Sequence, residues 1–224
     1  MILKKTTLAD SVSQRLLNDI VMGKLVQGSK ISEEELAKGY GVSRAPMREA
    51  IRQMETYQLI TRKPHIGARI IKLSVEELIE LYEIRESLEG KACCLAAERI
   101  TNEELDELEK LLRIHENKPD VKENKAYFQQ GDMDFHLLII KASHNNRLIN
   151  LMENQLYHLM LMYRYQLSTQ PTRPKKALDE HGRILEALKE RDGKLAELLM
   201  QRHLKRAREA LCSVHKTTNY NNVV

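Results

Sequence analysis

The sequence predicts a mainly α protein made of an N-terminal winged helix-turn-helix and a C-terminal all-α helical bundle. Residues 31–71, ISEEELAKGYGVSRAPMREAIRQMETYQLITRKPHIGARII, hold two helix starts separated by a glycine-containing turn and followed by a short basic hairpin. From Ser74 onward, apolar residues recur at spacings of three and four, and few positions have strand character. Charge divides at the same place. Residues 1–72 carry 13 Lys and Arg against 7 Asp and Glu, a net +6, whereas residues 73–224 carry 23 against 25, a net −2. A basic small module joined to a near-neutral larger one directs any polyanionic partner to the N-terminal part.

In the first part, Ser32 followed by Glu35 reads as a capping box that opens a helix, with Leu36 and Ala37 on its buried side. Gly39 and Gly41 break that helix where a tight turn needs positive φ. Val42 re-enters the core, Ser43 caps the next helix, and Pro46 occupies its first turn, where a missing N–H removes no intrahelical bond. Met47, Ala50, Ile51 and Met54 form the inner stripe of this second helix, and Arg44, Arg48 and Arg52 fall four apart on the other side. Leu59 to Thr61 read as a strand, Lys63 to Gly67 as a basic turn, and Ala68 to Leu73 as the returning strand of a wing.

Three guanidinium groups on one helix face, set between a Gly-Val-Ser turn and a basic hairpin, form a surface suited to bidentate contact with guanine edges or phosphate in a major groove. An isolated Arg-x3-Arg-x3-Arg run would read instead as a solvated helix face. The context makes the difference. Ser43, Arg44, Pro46, Arg48 and Arg52, with His65 and Gly67 of the wing, are the candidate DNA-contacting residues.

The string GVSRAPMREAIRQMETYQLI resembles the signature of the GntR family of bacterial transcription regulators. Gly23, Leu25, Gly28 and Ile31 follow the order that usually precedes it, with Gln27 standing where that family usually has proline, so the resemblance spans about residues 8 to 73. It implies sequence-specific binding to double-stranded DNA. Glu33 and Glu34 depart from relatives that carry a basic residue in this helix.

The second part opens with further capping boxes at Ser74/Glu77 and Thr101/Glu104. The first helix carries Leu78, Leu81, Ile84, Leu88 and Leu95, the second Leu105, Leu108, Leu111 and Leu112. Lys118-Pro119-Asp120 breaks the chain. Helices are expected from about Val121 to Ala142, from Arg147 to about Leu167, from Lys175 to Lys189 and from Lys194 to Val214. The boundaries expected are 1–73 for the winged helix-turn-helix, 74–215 for an effector- and metal-binding, dimerising domain, and 216–224 for a disordered tail.

Four polar residues of this bundle fall on apolar stripes. Asp132 and His136 lie one turn apart on a face continued by Ile139 and Ile140; His181 heads the stripe of Ile184, Leu185 and Leu188; His203 lies with Ala196, Leu199, Ala207 and Ala210. Burying imidazole and carboxylate costs several kcal/mol unless something pairs them. Three histidines and one aspartate make a first shell for a divalent ion such as zinc, nickel or manganese. A hydrogen-bonded core network is the other reading of the same spacing.

The segments DMDFHLLIIKASHNN, EHGRILEAL and QRHLKRA resemble the ligand-sensing domain of the FadR branch of the same family. In many members of that branch, positions matching Asp132, His136, His181 and His203 hold a metal ion, which implies a metal centre here and a small carboxylate effector bound at it. The same resemblance places Arg85, in LYEIRESLEG, at the effector cavity, with Arg164 as a second candidate. Arg85 has an ion pair with Glu89 on its own helix as the alternative role.

The expected function is therefore a regulator, acting as a homodimer on a palindromic operator, whose DNA binding responds to a small organic acid. A metalloregulator that senses the ion itself is a second reading, and a metal-dependent hydrolase with an attached DNA-binding module a third. Against an enzyme, the sequence holds no histidine-glutamate zinc motif, phosphate loop or nucleophile elbow. No run of about 18 apolar residues and no signal-peptide core appear, so no membrane role and a cytoplasmic location are expected. Cys93, Cys94 and Cys212 have neither metal-like spacing nor a disulfide framework.

Overall fold

A computed structural model describes residues 7–63, 67–116, 132–168 and 173–220, with the backbone alone at 132–134, 166, 168, 174 and 214–220. The chain divides into two compact units, Met1–Lys72 with Glu153–Tyr163, and Leu73–Met152 with Arg164–Val224.

In the first unit, α1 (Leu8–Val21) begins at Thr7, which exchanges capping-box bonds with Asp10, and it buries Val12, Leu16, Leu17 and Ile20. Helix α2 (Glu33–Tyr40) starts where Ser32 Oγ accepts from the Glu35 amide at 3.4 Å. Gly39 lies inside α2, so only Gly41 acts as the breaker: its φ of 67° forms the left-handed cap that sends Val42 N back to Ala37 O. Helix α3 (Arg44–Thr56) buries Met47, Ala50, Ile51 and Met54 as its apolar spacing requires.

The wing is β2 (Ile60–Lys63) paired antiparallel with β3 (Gly67–Ile70), from Ile60 opposite Ile70 to Lys63 opposite Gly67. A third strand, β1 (Lys30–Ile31), adds to the other edge of β3, giving the order β1-β3-β2. The expected return strand to Leu73 thus ends at Ile70.

Glu153–Tyr163 also belongs to this unit, and its His158 ring stacks on Tyr57 with centroids 3.6 Å apart. Burial pulls His158 down to about 4. The unfolded ring takes up its proton near pH 6.5, so His158 withdraws stability as the pH falls from about 6.5 toward 4. His158→Phe, which keeps the stack, is expected to narrow the drop in melting temperature between pH 7 and pH 5; equal drops in both proteins would assign the effect elsewhere.

In the second unit, α4 (Val75–Arg99) and α5 (Asn102–Glu116) both begin with completed capping boxes, Ser74/Glu77 and Thr101/Glu104. Next come α6 (Asp132–Ala142), α7 (Asn146–Leu151), a π turn over Met152–Leu156, and α8 (Tyr157–Ser168), of which Glu153–Tyr163 is the stretch that belongs to the first unit. The single helix expected from Arg147 to Leu167 is therefore interrupted. The last two helices are α9 (Arg173–Lys189) and α10 (Gly193–Tyr220), the latter running five residues into the segment expected to be a tail.

Cys93, Ala96, Leu108, Phe135, Ile139, Ile184, Leu188, Met200 and Leu204 make the core that joins α4, α5, α6, α9 and α10. Small residues let α10 approach α4: a Cβ added at Gly193 would meet the Cys94 carbonyl oxygen at 2.9 Å. The inward face of α4 differs from the one its leucines suggest. Ile84 is 49% exposed, and the buried stripe runs through Leu78, Tyr82, Arg85, Glu89, Cys93 and Ala96.

Candidate functional site

Two sites emerge, one in each unit. In the first, α3 turns its apolar stripe inward and leaves Ser43, Arg44, Arg48 and Arg52 exposed, with Pro46 half-buried in the first turn. Ser43 holds the N-cap backbone position, but its hydroxyl makes no cap bond. That departs from the role its spacing suggests.

Each arginine has a carboxylate nearby: Glu34 lies 3.9 Å from Arg44, Glu33 3.4 Å from Arg48 and Glu49 3.8 Å from Arg52. On the wing, Gly67 opens β3 with a φ of 87°, and Arg62 and Lys63 are exposed on β2. His65 lies outside the described residues. Arg62, not singled out by the hairpin reading, pairs with both Glu33 and Glu55.

In the second unit, three helices bring three of the four expected ligands together. His136 of α6, His181 of α9 and His203 of α10 are at least 96% buried, and their ligand nitrogens lie within 4.8 Å of one another. Asp132 begins α6 one turn before His136, and its side chain lies outside the described residues.

The nitrogens are aimed by carboxylates behind them. His136 Nδ1 lies 2.5 Å from Glu89 Oε2, and His203 Nδ1 lies 2.6 Å from Glu180 Oε2. A ring that donates its Nδ1–H to a carboxylate presents a bare Nε2, the tautomer a metal requires. His181 Nε2 and His203 Nε2 stand 3.4 Å apart. Metal–nitrogen bonds of about 2.0–2.1 Å put neighbouring donors about 3.3 Å apart in a tetrahedron and about 2.9 Å apart in an octahedron, so the His181–His203 separation is close to the tetrahedral value. Burial, aided by the Arg164 charge and opposed by Glu89, pulls His136 down to about 3, which keeps it a neutral ligand.

Glu180 is held down to about 2: burial pushes it up, but the bonds from His203 and Arg173 outweigh this. Glu89 is the centre of a second buried network. Arg85 Nε donates to its Oε1 at 2.7 Å, and Arg164 Nη2 lies 3.4 Å from its Oε2. Burial would raise the Glu89 carboxyl, yet Arg85, His136 and Arg164 together hold it well below its ordinary range.

The Arg85–Glu89 ion pair, the alternative role for Arg85, therefore forms, and it is 99% buried. It uses only part of Arg85: among the described residues neither its buried Nη1 nor the buried Tyr82 hydroxyl has a partner of good hydrogen-bond geometry, although the Tyr82 ring lies 4.5 Å from the guanidinium carbon. Two arginines therefore share the buried Glu89 carboxylate beside a neutral histidine.

Glu89 and Glu180 are the residues the ligand search missed. Both carried a signal: Glu89 is in phase with Leu78, Tyr82 and Cys93, and Glu180 adjoins His181. By contrast, His144 sits in the α6–α7 turn with a φ of 48° beside Glu104, away from the triad as its turn chemistry suggests.

A winged helix-turn-helix joined to a helical domain whose interior holds ligating and charged side chains is the organisation of a ligand-binding transcription regulator. The chain belongs to the GntR family of bacterial regulatory proteins, matching that family over residues 8–70 and the FCD domain over residues 80–206.

It is 34% identical to the HTH-type transcriptional regulator YdhC of Bacillus subtilis strain 168, over 80% of this chain and 79% of that protein. It is 29% identical to a probable D-xylose utilization operon transcriptional repressor of Paenarthrobacter nicotinovorans, over 90% and 88% respectively. The fold is that of E. coli McbR/YncC, with a TM-score of 0.71 at 23% identity over 94% of this chain and 98% of that one. The relatives are regulators, so the expected absence of an enzyme stands with the family. No helix among the described residues is long and apolar enough to cross a membrane.

Proposed function

We propose that this protein is a cytoplasmic repressor, working as a homodimer on a palindromic operator, whose DNA binding is modulated by a small organic acid held at a divalent metal centre. His136, His181 and His203, joined by Asp132, would hold an ion of the zinc, nickel or manganese class. The ion supplies open coordination positions for carboxylate or hydroxyl oxygen. Arg85 and Arg164 would take the acid's other oxygens.

One observation carries this reading: a buried guanidinium nitrogen of Arg85 with no hydrogen-bond partner among the described residues is joined through Glu89 to His136, one of three convergent histidines. Such a nitrogen costs free energy unless a ligand completes it. The test is elemental analysis of the purified protein with a melting-temperature screen of small carboxylates. A stoichiometric ion and an acid whose stabilisation grows with concentration above its Kd are expected. A metal-free protein indifferent to every acid would sink the proposal, and metal-dependent operator binding with no acid response would replace it with metal sensing.

Ser43, Arg44, Pro46, Arg48 and Arg52, with His65 and Gly67, would meet the operator, with Arg48 the arginine that reads a base. Arg48→Ala is expected to remove about 1–3 kcal/mol of sequence discrimination. Competition between operator and scrambled duplexes measures it, and unchanged discrimination would reduce Arg48 to a phosphate contact or less.

A further inference from the structure

Glu33 stands on the first turn of α2, yet its carboxylate serves two other elements. Its Oε2 lies 3.4 Å from Arg48 Nε on α3, and its Oε1 lies 3.5 Å from Arg62 Nη2 on β2. Arg62 in turn donates its Nε to Glu55 Oε1 at 2.8 Å. The side chain of Glu33 is 23% exposed, whereas that of Glu34, the next residue, is 78% exposed and lies 3.9 Å from Arg44. The two glutamates are therefore unlike: one is set into a three-element ion-pair chain, the other is a solvated surface charge.

We infer that Glu33 is a positioning residue for DNA recognition, one that fixes the guanidinium of Arg48 and ties the recognition helix to the wing. The inference rests on the reading of Arg48 as a base-contacting residue. The ion pair is closest at the Nε edge of Arg48, at 3.4 Å, and half of the Arg48 side chain stays exposed. An arginine held at Nε keeps its Nη donors for a bidentate acceptor, and holding it there removes rotamer freedom that binding would otherwise have to remove. Through Oε1 the same carboxylate sets Arg62, so the helix and the wing strand are aligned by one group.

A carboxylate at a DNA-facing surface also repels phosphate. The position therefore trades affinity for any duplex against discrimination between duplexes. This makes the signature of a positioning role distinct from that of a charge.

The experiment uses the full chain, with a duplex enriched by the wild-type protein from a random pool and a scrambled duplex of equal composition, each titrated over a range of salt. Glu33→Gln is expected to bind the scrambled duplex more tightly while the ratio of enriched to scrambled affinity falls by about fivefold or more, a part of what one bidentate contact supplies. Glu33→Asp, which keeps the charge but shortens the reach, is expected to lower the ratio without tightening scrambled binding. Glu34→Gln is expected to tighten scrambled binding and leave the ratio unchanged.

Arg48→Ala separates the proposal from its premise. If Arg48→Ala loses discrimination while both Glu33 variants keep it, or if Glu33→Gln and Glu34→Gln behave alike, the positioning role is overturned. If Arg48→Ala keeps full discrimination, the premise itself fails. Melting temperatures near the wild-type value in the Glu33 variants will exclude a folding defect, and the Asp variant reads position even if the Gln variant is destabilised.

Discussion

The chain carrying His181→Leu is expected to emerge from purification without a stoichiometric divalent ion and to lose its response to acids, while still binding operator DNA. His181 and His203 present their Nε2 atoms to each other at 3.4 Å, and the His136 ring centroid lies 5.2 Å from that of His181. Removing His181 takes away the ligand that α9 contributes and leaves two imidazoles with Asp132, an incomplete set that is expected to release its ion during purification.

Leucine suits the place sterically. His181 is 1% exposed and stacks on Phe135 with centroids 4.1 Å apart, heading the stripe of Ile184, Leu185 and Leu188. The change replaces a buried polar ring with a branched aliphatic side chain of similar size, so the metal-free fold should hold, as buried polar groups often can be replaced by apolar ones of similar volume. Elemental analysis, a chelator competition and operator titrations give the three readouts. Full stoichiometry with an unchanged acid response would remove His181 from the site.

Such a variant tests a residue that periodicity alone singles out, and the limits of periodicity are visible in the same structure. The helix-turn-helix is legible because its signals are local. Ser32, Gly41, Ser43 and Pro46 act within one turn of themselves, and the arginines are placed by helical geometry once α3 exists. His136, His181 and His203 are legible because each interrupts an apolar stripe.

Helix α4 is different. It carries large apolar residues on more than one face, and a helix of that kind has no unique inward side in its sequence. Ile84 lies in a stripe of leucines yet is 49% exposed, while Arg85 and Glu89, which look like an exposed i,i+4 pair, are buried. What buries them is remote: His136 comes to Glu89 from 47 residues away and Arg164 from 75. No local pattern reports a partner at such a separation. Strand β1 and helix α1 were missed for another reason: β1 has only two residues, and its pairing with β3 depends on the wing having formed. Helix α1 carries signals of its own, a Thr7/Asp10 box and apolar residues at 12, 16, 17 and 20, but they lie ahead of the helix-turn-helix string.

Glu89 consequently offers the sharpest test of how the buried network is built. Glu89→Leu is expected to destabilise the protein by about 3–5 kcal/mol, because it removes the buried carboxylate that Arg85 and Arg164 share. It also takes the acceptor from His136 Nδ1, and losing such an outer-shell partner lowers metal affinity by about 10- to 100-fold.

The pH dependence has a definite sign. Glu89 is held well below its ordinary range in the folded protein. Its contribution is therefore fully present above the unfolded carboxyl pKa of about 4.3 and is lost as the pH falls through the folded value. The stability gap between parent and Glu89→Leu should be flat from pH 8 to pH 5 and shrink below about 4.3. Urea titrations across that range measure it. If Glu89 served only to neutralise its arginines, a small carboxylic acid that enters beside Arg85 should restore part of the lost stability by binding the folded state alone. A variant as stable as its parent at pH 7 would mean that the two arginines find other counter-charges, and Glu89 would not be the group that holds them.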